Sequence, residues 1–393
     1  MFQAATVRLQ EPFSRQSGER LAHALIHRLG TSPKACWLFC SCDPALEDFV
    51  GSIYLALGAP QFIGCTTDGE ISTAGFSTKS AVLAGVVSDQ VDFQVVAVPQ
   101  LSHDPEQAGR ALAQEFTRYT RYLQIFSDGI TGNGCAILRG IRARLPANVP
   151  ISGGTSGDNG RFVQTWQFSQ GQILTDALVA IGFMGDFNVG TGVQSGWAPI
   201  GLPKKVTRAA GNVLYELNGE PALKVLKRFL GKHAEKLPAV GVEYPLGFFC
   251  KSEVPDDCRQ NGKDGQFLLR ATMKVNIADG SIHFAGEIPQ GAMVYLTCGD
   301  SASILEATVE ATRQALHQLS GFSPVMAFVY SCMARKIVLG KRVKDEFESI
   351  FQQFSPSPVP IIGYYSYGEY SPGKADGPCF LHNETAAISV IGV

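Results

Sequence analysis

The chain lacks a run of apolar residues that could cross a bilayer: its best stretch, Ala177 to Met184, falls far short of the ~18 residues a spanning helix requires. Residues 1–20 hold no apolar core of a secretory signal either, because Gln3, Arg8, Glu11, Arg15 and Glu19 interrupt it. A soluble, cytoplasmic protein without membrane insertion is therefore expected. A basic stripe is also missing. The formal net charge is -2 and the Lys and Arg residues are scattered, so nucleic acid is not an expected partner. The ten cysteines form no Cys-x-x-Cys pair, which removes the common zinc spacings and covalent haem attachment. Most of them lie in apolar runs, where a thiol behaves as a small hydrophobe, so a disulfide framework is not expected.

What the chain does have is a repeated turn. Gly64-Cys-Thr-Thr-Asp-Gly69-Glu70 and Gly363-Tyr-Tyr-Ser-Tyr-Gly368-Glu369 share the form Gly-x-x-x-x-Gly-Glu, and each follows an apolar strand, a helical stretch and a short second strand. A looser copy ends in Gly153-Gly-Thr-Ser-Gly-Asp158. One structural unit has been used about three times, and the turn is read as its functional part. A phosphate loop would place Lys after the second Gly; Glu70 and Glu369 stand there instead and would repel phosphate.

Apolar spacing predicts helices over 20–29, 106–119 and 301–319, and a helical segment over 212–230. Strands are predicted at 81–87, 91–98 and 292–297, among others. This interleaving predicts an α/β (α+β layered) protein with mixed sheets, in two domains built from repeated strand-helix-strand units. The break is expected between Gly196 and Thr207, giving domains 30–200 with two copies and 205–393 with the third plus an insertion-rich stretch from 237 to 288.

Candidate chemistry gathers in the last copy. Cys332 and Arg335 follow one strand, His382 and Asn383 open another, and Tyr364, Tyr365, Tyr367 and Glu369 lie in the turn between. Such a set can recognise a carboxylated or zwitterionic small molecule through Arg335. The alternative is that these groups satisfy one another as a buried network. A third reading makes Cys332, His382 and Asn383 a nucleophilic arrangement, though apolar neighbours would raise the thiol pKa. A b-type haem needs only one axial imidazole, and His283, on a strand with apolar neighbours, is the first choice, with His382 the second.

At these residues the chain resembles the FIST family of prokaryotic sensory proteins, over roughly 30–393. The resemblance rests on Phe62 to Glu70, Ile151 to Gly160, Trp197 to Gly201, Leu217 to Ala222, Ser331 to Arg335, Pro360 to Glu369 and His382 to Thr385, with Ser156 standing where Ala is the more usual residue. It implies two domains, FIST N and FIST C, and a ligand-sensing role. Amino acids have been proposed as ligands, and some stand-alone bacterial members look like haem-binding nitric-oxide sensors. Those sensors act on a separately encoded histidine kinase or cyclic-di-GMP enzyme. The resemblance thus makes a haem-based sensor, not an enzyme, the leading expectation, with haem b held by His283 or His382, with Cys332, Arg335, Tyr365, Tyr367, Glu369 and Asn383 around a ligand, and with a homodimer allowed. A haem-free sensor of amino acids or similar metabolites is the alternative. The two halves fill the chain, so signalling by contact with a separate partner is expected.

Overall fold

The computed structural model describes residues 1–251 and 265–393. It is built from three copies of one unit, of eight elements in the first two and nine in the third, where two helices stand in place of one; this is longer than the strand-helix-strand repeat read from the sequence. The first comprises β1 (Phe2–Leu9), α1 (Arg15–Leu29), β2 (Ala35–Cys40), α2 (Leu46–Ala56), β3 (Gln61–Thr66), β4 (Glu70–Ser72), β5 (Gly75–Ser77) and β6 (Ala81–Ser88). The second repeats that order with β7 (Val91–Pro99), α3 (Pro105–Gln114), β8 (Thr120–Ser127), α4 (Gly134–Arg142), β9 (Ile151–Thr155), β10 (Gln167–Ser169), β11 (Gln172–Leu174) and β12 (Ala177–Gly185).

The third unit opens with β13 (Asn188–Gln194) and is then interrupted. The insertion comprises β14 (Trp197–Ala210), β15 (Val213–Leu217), β16 (Glu220–Pro221), α5 (Ala222–Leu230), β17 (Leu246–Cys250), β18 (Gln266–Arg270), β19 (Thr272–Val275), β20 (Ile282–Phe284) and β21 (Met293–Gly299). The unit resumes with α6 (Ser301–His317), β22 (Pro324–Cys332), α7 (Met333–Leu339), α8 (Val343–Gln352), β23 (Ile361–Ser366), β24 (Glu369–Pro372), β25 (Cys379–His382) and β26 (Ala386–Gly392).

Two expectations are corrected. The break placed between Gly196 and Thr207 lies inside β14, where Pro203 falls in the stretch between Ile200 and Lys204 at which pairing with β21 is irregular, while Pro199 stands in register opposite Thr297. The helical segment expected over 212–230 begins as the strand Val213–Leu217 and is helical only from Ala222. Residues 252–264 of the expected insertion lie outside the described residues. Among the described residues Cys36, Cys40, Cys42, Cys65, Cys298 and Cys332 are free thiols, while Cys250 is disulfide-bonded.

The three units interlock. Each contributes four strands to its own sheet and passes its hairpin to another, giving the orders β1-β6-β2-β3-β10-β11, β7-β12-β8-β9-β24-β25 and β13-β26-β22-β23-β4-β5. The exchange is cyclic, so no unit completes a six-stranded sheet by itself. Within each sheet the parallel pair sits centrally: β2 with β3, β8 with β9 and β22 with β23. These strands are buried on both faces and read as continuous apolar runs. On β2, Trp37 and Phe39 point to the middle of the molecule, while Cys36, Leu38 and Cys40 pack under α1 and α2. The middle is a filled core in which Phe39, Phe126, Tyr330 and Tyr364 stack edge to face and tilted. Trp37 donates its indole N–H to Gln124 Oε1 at 2.8 Å, tying the first sheet to the second.

The three sheets carry the same glycine for the same reason. A Cβ on Gly64, Gly153 or Gly363 would lie 1.8–1.9 Å from the carbonyl oxygen of Leu38, Ile125 or Val329 on the parallel neighbour. Helix ends are set locally. Ser14 caps α1 with a reciprocal Ser14–Ser17 bond and Gly30 closes it at φ 74°, while Asp104 and Asp300 cap α3 and α6.

Candidate functional site

Glu70 and Glu369 occupy equivalent places, each opening the strand after the turn. Glu70 accepts from Ser41 Oγ (2.9 Å), Thr67 Oγ1 (2.6 Å) and Ser80 Oγ (2.5 Å). Glu369 accepts from Ser366 Oγ (2.6 Å) and Thr385 Oγ1 (2.8 Å). The second unit has its own member, which the sequence reading missed: Gln167 opens β10, donates to Ser156 Oγ (2.9 Å) and accepts from Ala177 N (3.2 Å). In the outer units the carboxylate follows its hydroxyl partner by three positions, whereas Gln167 follows Ser156 by eleven, because this turn carries extra residues. That length hid the equivalence. Burial pushes the Glu70 carboxyl up to about 7 and that of Glu369 up to about 8, against the pull of the hydroxyls. Both are sealed from solvent and lock the turns.

The expected ligand cluster in the third unit resolves into separate buried networks. Arg335 is fully buried and its guanidinium is bound by the protein itself: Nε to Glu346 Oε1 (2.8 Å), Nη1 to Ser195 O, and Nη2 to Ile304 O (2.9 Å) and Thr308 Oγ1. Tyr365 donates to the other oxygen of Glu346. The guanidinium therefore has a protein carboxylate where a ligand's was expected. His382 lies in a different sheet, on β25, with Nε2 at 3.1 Å from Ser371 O. Asn383 Nδ2 donates to Tyr367 O (3.4 Å). Cys332 is buried, its thiol pushed well up by burial and then by Glu369 and Glu384, the opposite of what a nucleophile needs. Glu384, not singled out beforehand, is wholly buried at φ 64° with neither oxygen hydrogen-bonded among the described residues; burial and then Glu369 hold it well above the usual range, as a neutral acid.

The two haem candidates lie in different sheets, His283 on β20 and His382 on β25. His283 is half-buried between Val213 and Lys274 on the neighbouring strands, while the adjacent Ile282 and Phe284 take the core side. Burial drives the His382 pKa down to about 3, keeping the ring neutral, but the ring is sealed in the sheet. Among the described residues no three His, Cys, Asp or Glu side chains are grouped to hold a metal ion.

The open site lies elsewhere. A cleft of about 780 Å³ runs between the start of α2, in the first unit, and the β10–β11 hairpin of the second unit, which is paired with β3 of the first. Asp43, Glu47 and Arg161 set charges of both signs around it, and Pro44, Leu46, Trp166, Ile173 and Leu174 supply apolar wall. Cys42 stands at the same wall, its thiol raised by burial against the pull of Thr66 and Arg161. Asp43 starts α2 by accepting from Ala45 N at 2.8 Å. Arg161 comes from the long turn of the second unit, held by the Asp158 carboxylate, which accepts from the backbone N–H of Arg161, Phe162, Val163 and Gln164. Beside this turn, Lys336 pairs with Asp68 at 2.6 Å. None of the cleft residues was assigned to a ligand from the sequence. The available signal was the extra length in one copy of the repeat, since such insertions commonly carry binding loops.

Fold and cleft together define a three-unit α/β protein with a small-molecule-sized opening. The chain belongs to the FIST family: residues 34–220 match the FIST N domain and 222–372 the FIST C domain. The family is associated with sensing of small ligands in signal transduction. An uncharacterized protein of Mycobacterium tuberculosis is 28% identical over 258 residues, covering 65% of this chain and 63% of the relative. Another, from Methanocaldococcus jannaschii, is 22% identical over 319 residues, covering 74% of this chain and 58% of its own length. The chain thus spans less than two thirds of these relatives. A cyanuric acid hydrolase from A. caulinodans aligns over 100% of this chain and 99% of its own at 11% identity, with a TM-score of 0.32. No helix among the described residues is long and apolar enough to cross a membrane.

Proposed function

We propose that this chain is the sensing component of a signalling pair and that its ligand is a small zwitterionic metabolite of the amino-acid class, bound in the cleft between α2 and the β10–β11 hairpin. The observation that carries this reading is the lining: one guanidinium, two carboxylates and an apolar wall in a volume suited to a small molecule. Arg161 takes the ligand carboxylate, Asp43 and Glu47 take its ammonium group, and Trp166, Ile173 and Leu174 face its side chain. Binding without turnover is the role that fits, because Cys332 has carboxyl neighbours instead of a base. Output passes by contact to a separate protein, and the family resemblance points to a histidine kinase or a cyclic-di-GMP enzyme.

The test is a thermal-shift screen of the twenty amino acids, followed by calorimetry. At least one should stabilise the parent chain, and Arg161→Ala should weaken it about tenfold or more, the loss of a charged hydrogen-bonding partner. A flat screen, or an unaltered affinity in Arg161→Ala, would sink the reading.

A further inference from the structure

The turn that carries Arg161 is exposed along 161–164. What holds it is a residue of another unit. Tyr367, in the turn between β23 and β24, donates its hydroxyl to Asp158 Oδ1, and the Tyr367 hydroxyl oxygen accepts from Asp158 N (3.1 Å) and Gly160 N (2.9 Å). Its ring stacks on Phe162 with centroids 4.3 Å apart and planes 23° from parallel. Asp158 in turn gathers the four N–H groups of residues 161–164, and its own carbonyl accepts from Arg161 Nε at 3.0 Å. The cleft's cation is therefore aimed through two steps from the third unit.

From this we infer that Tyr367 is the positioning residue that sets the cleft's selectivity for a carboxylate: it fixes Asp158, Asp158 fixes the turn, and the turn presents Arg161. The inference deepens the cleft reading and rests on it for the ligand, but the hold of Tyr367 on the turn stands on contacts alone. The stacking partner and all three bonds of the hydroxyl belong to the turn, so the side chain has no competing duty among these contacts. Burial acts to raise the Asp158 carboxyl, yet Tyr367 and the backbone N–H groups of Val163, Gln164 and Phe162 outweigh it and keep the carboxylate ionised.

Two measurements on the full chain separate this inference from the cleft reading. In limited trypsin digestion followed by mass spectrometry, the Arg161–Phe162 bond should be cut about tenfold faster in Tyr367→Phe than in the parent, with other cut sites and the melting temperature little changed. An unchanged rate at that bond overturns the inference whatever the ligand turns out to be. If Tyr367→Phe unfolds globally, all sites accelerate together, and amide hydrogen exchange in Phe162→Ala, which removes the exposed stacking ring, takes its place: faster exchange confined to residues 161–164 is expected, and an unchanged rate there overturns the inference. The second measurement uses the tightest-binding amino acid of the screen and its carboxamide. Tyr367→Phe should lower the affinity ratio between the two about tenfold, because only the carboxylate needs an aimed guanidinium; an equal loss for both overturns the inference. A parent chain that binds no amino acid defeats the cleft reading alone and leaves the digestion to judge Tyr367.

Discussion

At the scale of single residues, the molecule buries ionisable groups that it keeps neutral. Glu369 has its carboxyl raised to about 8 from an ordinary 4.5, and Glu70 to about 7, in both cases through burial. A raised acid contributes stability that is fully present below its unfolded pKa and is lost as pH rises through its folded pKa, so the windows run from 4.5 to about 8 and from 4.5 to about 7. His382 works in the opposite sense: its pKa falls from 6.5 to about 3, and its contribution is lost as pH falls below 6.5. Above that point only the carboxyls remain. The parent should therefore lose thermal stability between pH 6.5 and 8, by roughly 2 kcal/mol or ~2 °C for Glu369. Glu369→Gln, which keeps the shape and cannot ionise, should flatten that slope; a parallel slope in scanning fluorimetry would contradict the assignment.

At the scale of elements, close backbone approach matters more than propensity. Gly363 lets β23 lie against β22 where a Cβ would meet Val329 O at 1.9 Å, and neither strand can move without breaking the parallel ladder. Gly363→Ala should cost about 3 kcal/mol or more, at the upper end of overpacking penalties. Gly51, in α2, has nothing within 4 Å of where a Cβ would stand, so Gly51→Ala should stabilise by about 0.5–1 kcal/mol. Urea unfolding of the two variants checks both signs. These contrasting glycines also explain what could be read in advance. The Gly-x-x-x-x-Gly-Glu turns were legible because steric demands on the backbone repeat in the same register, whereas Gln167 was hidden by the longer turn before it.

At the scale of the whole molecule, the cyclic exchange of hairpins makes the three units one cooperative body. Residues 1–200 alone would lose β24 and β25 from the edge of β9, and Phe328, Tyr330 and Tyr364 from the shared core. That fragment should not fold by itself, as judged by circular dichroism and amide dispersion, but should be recovered on co-expression with 201–393. A well-folded 1–200 fragment would show that the two family domains are independent after all. The interlocking also explains why the expected division near residue 200 falls inside a strand: β13 pairs with β26, so the third unit begins before the insertion interrupts it.

The amino-acid sequence by itself determined the repeated turn, the α/β class and the longer apolar strands and helices, because glycine sterics and apolar periodicity act over a few neighbouring positions. It singled out the polar residues of the third unit, but not that packing would divide them between separate networks. Only the tertiary structure decided that Arg335 is neutralised by Glu346, eleven residues away, that His382 faces a different sheet, and that the open cleft lies between α2 and a hairpin from the next unit. Burial and partnership are properties of the packed whole. The same arginine serves as a ligand site or as a structural anchor according to whether a carboxylate of the chain reaches it first.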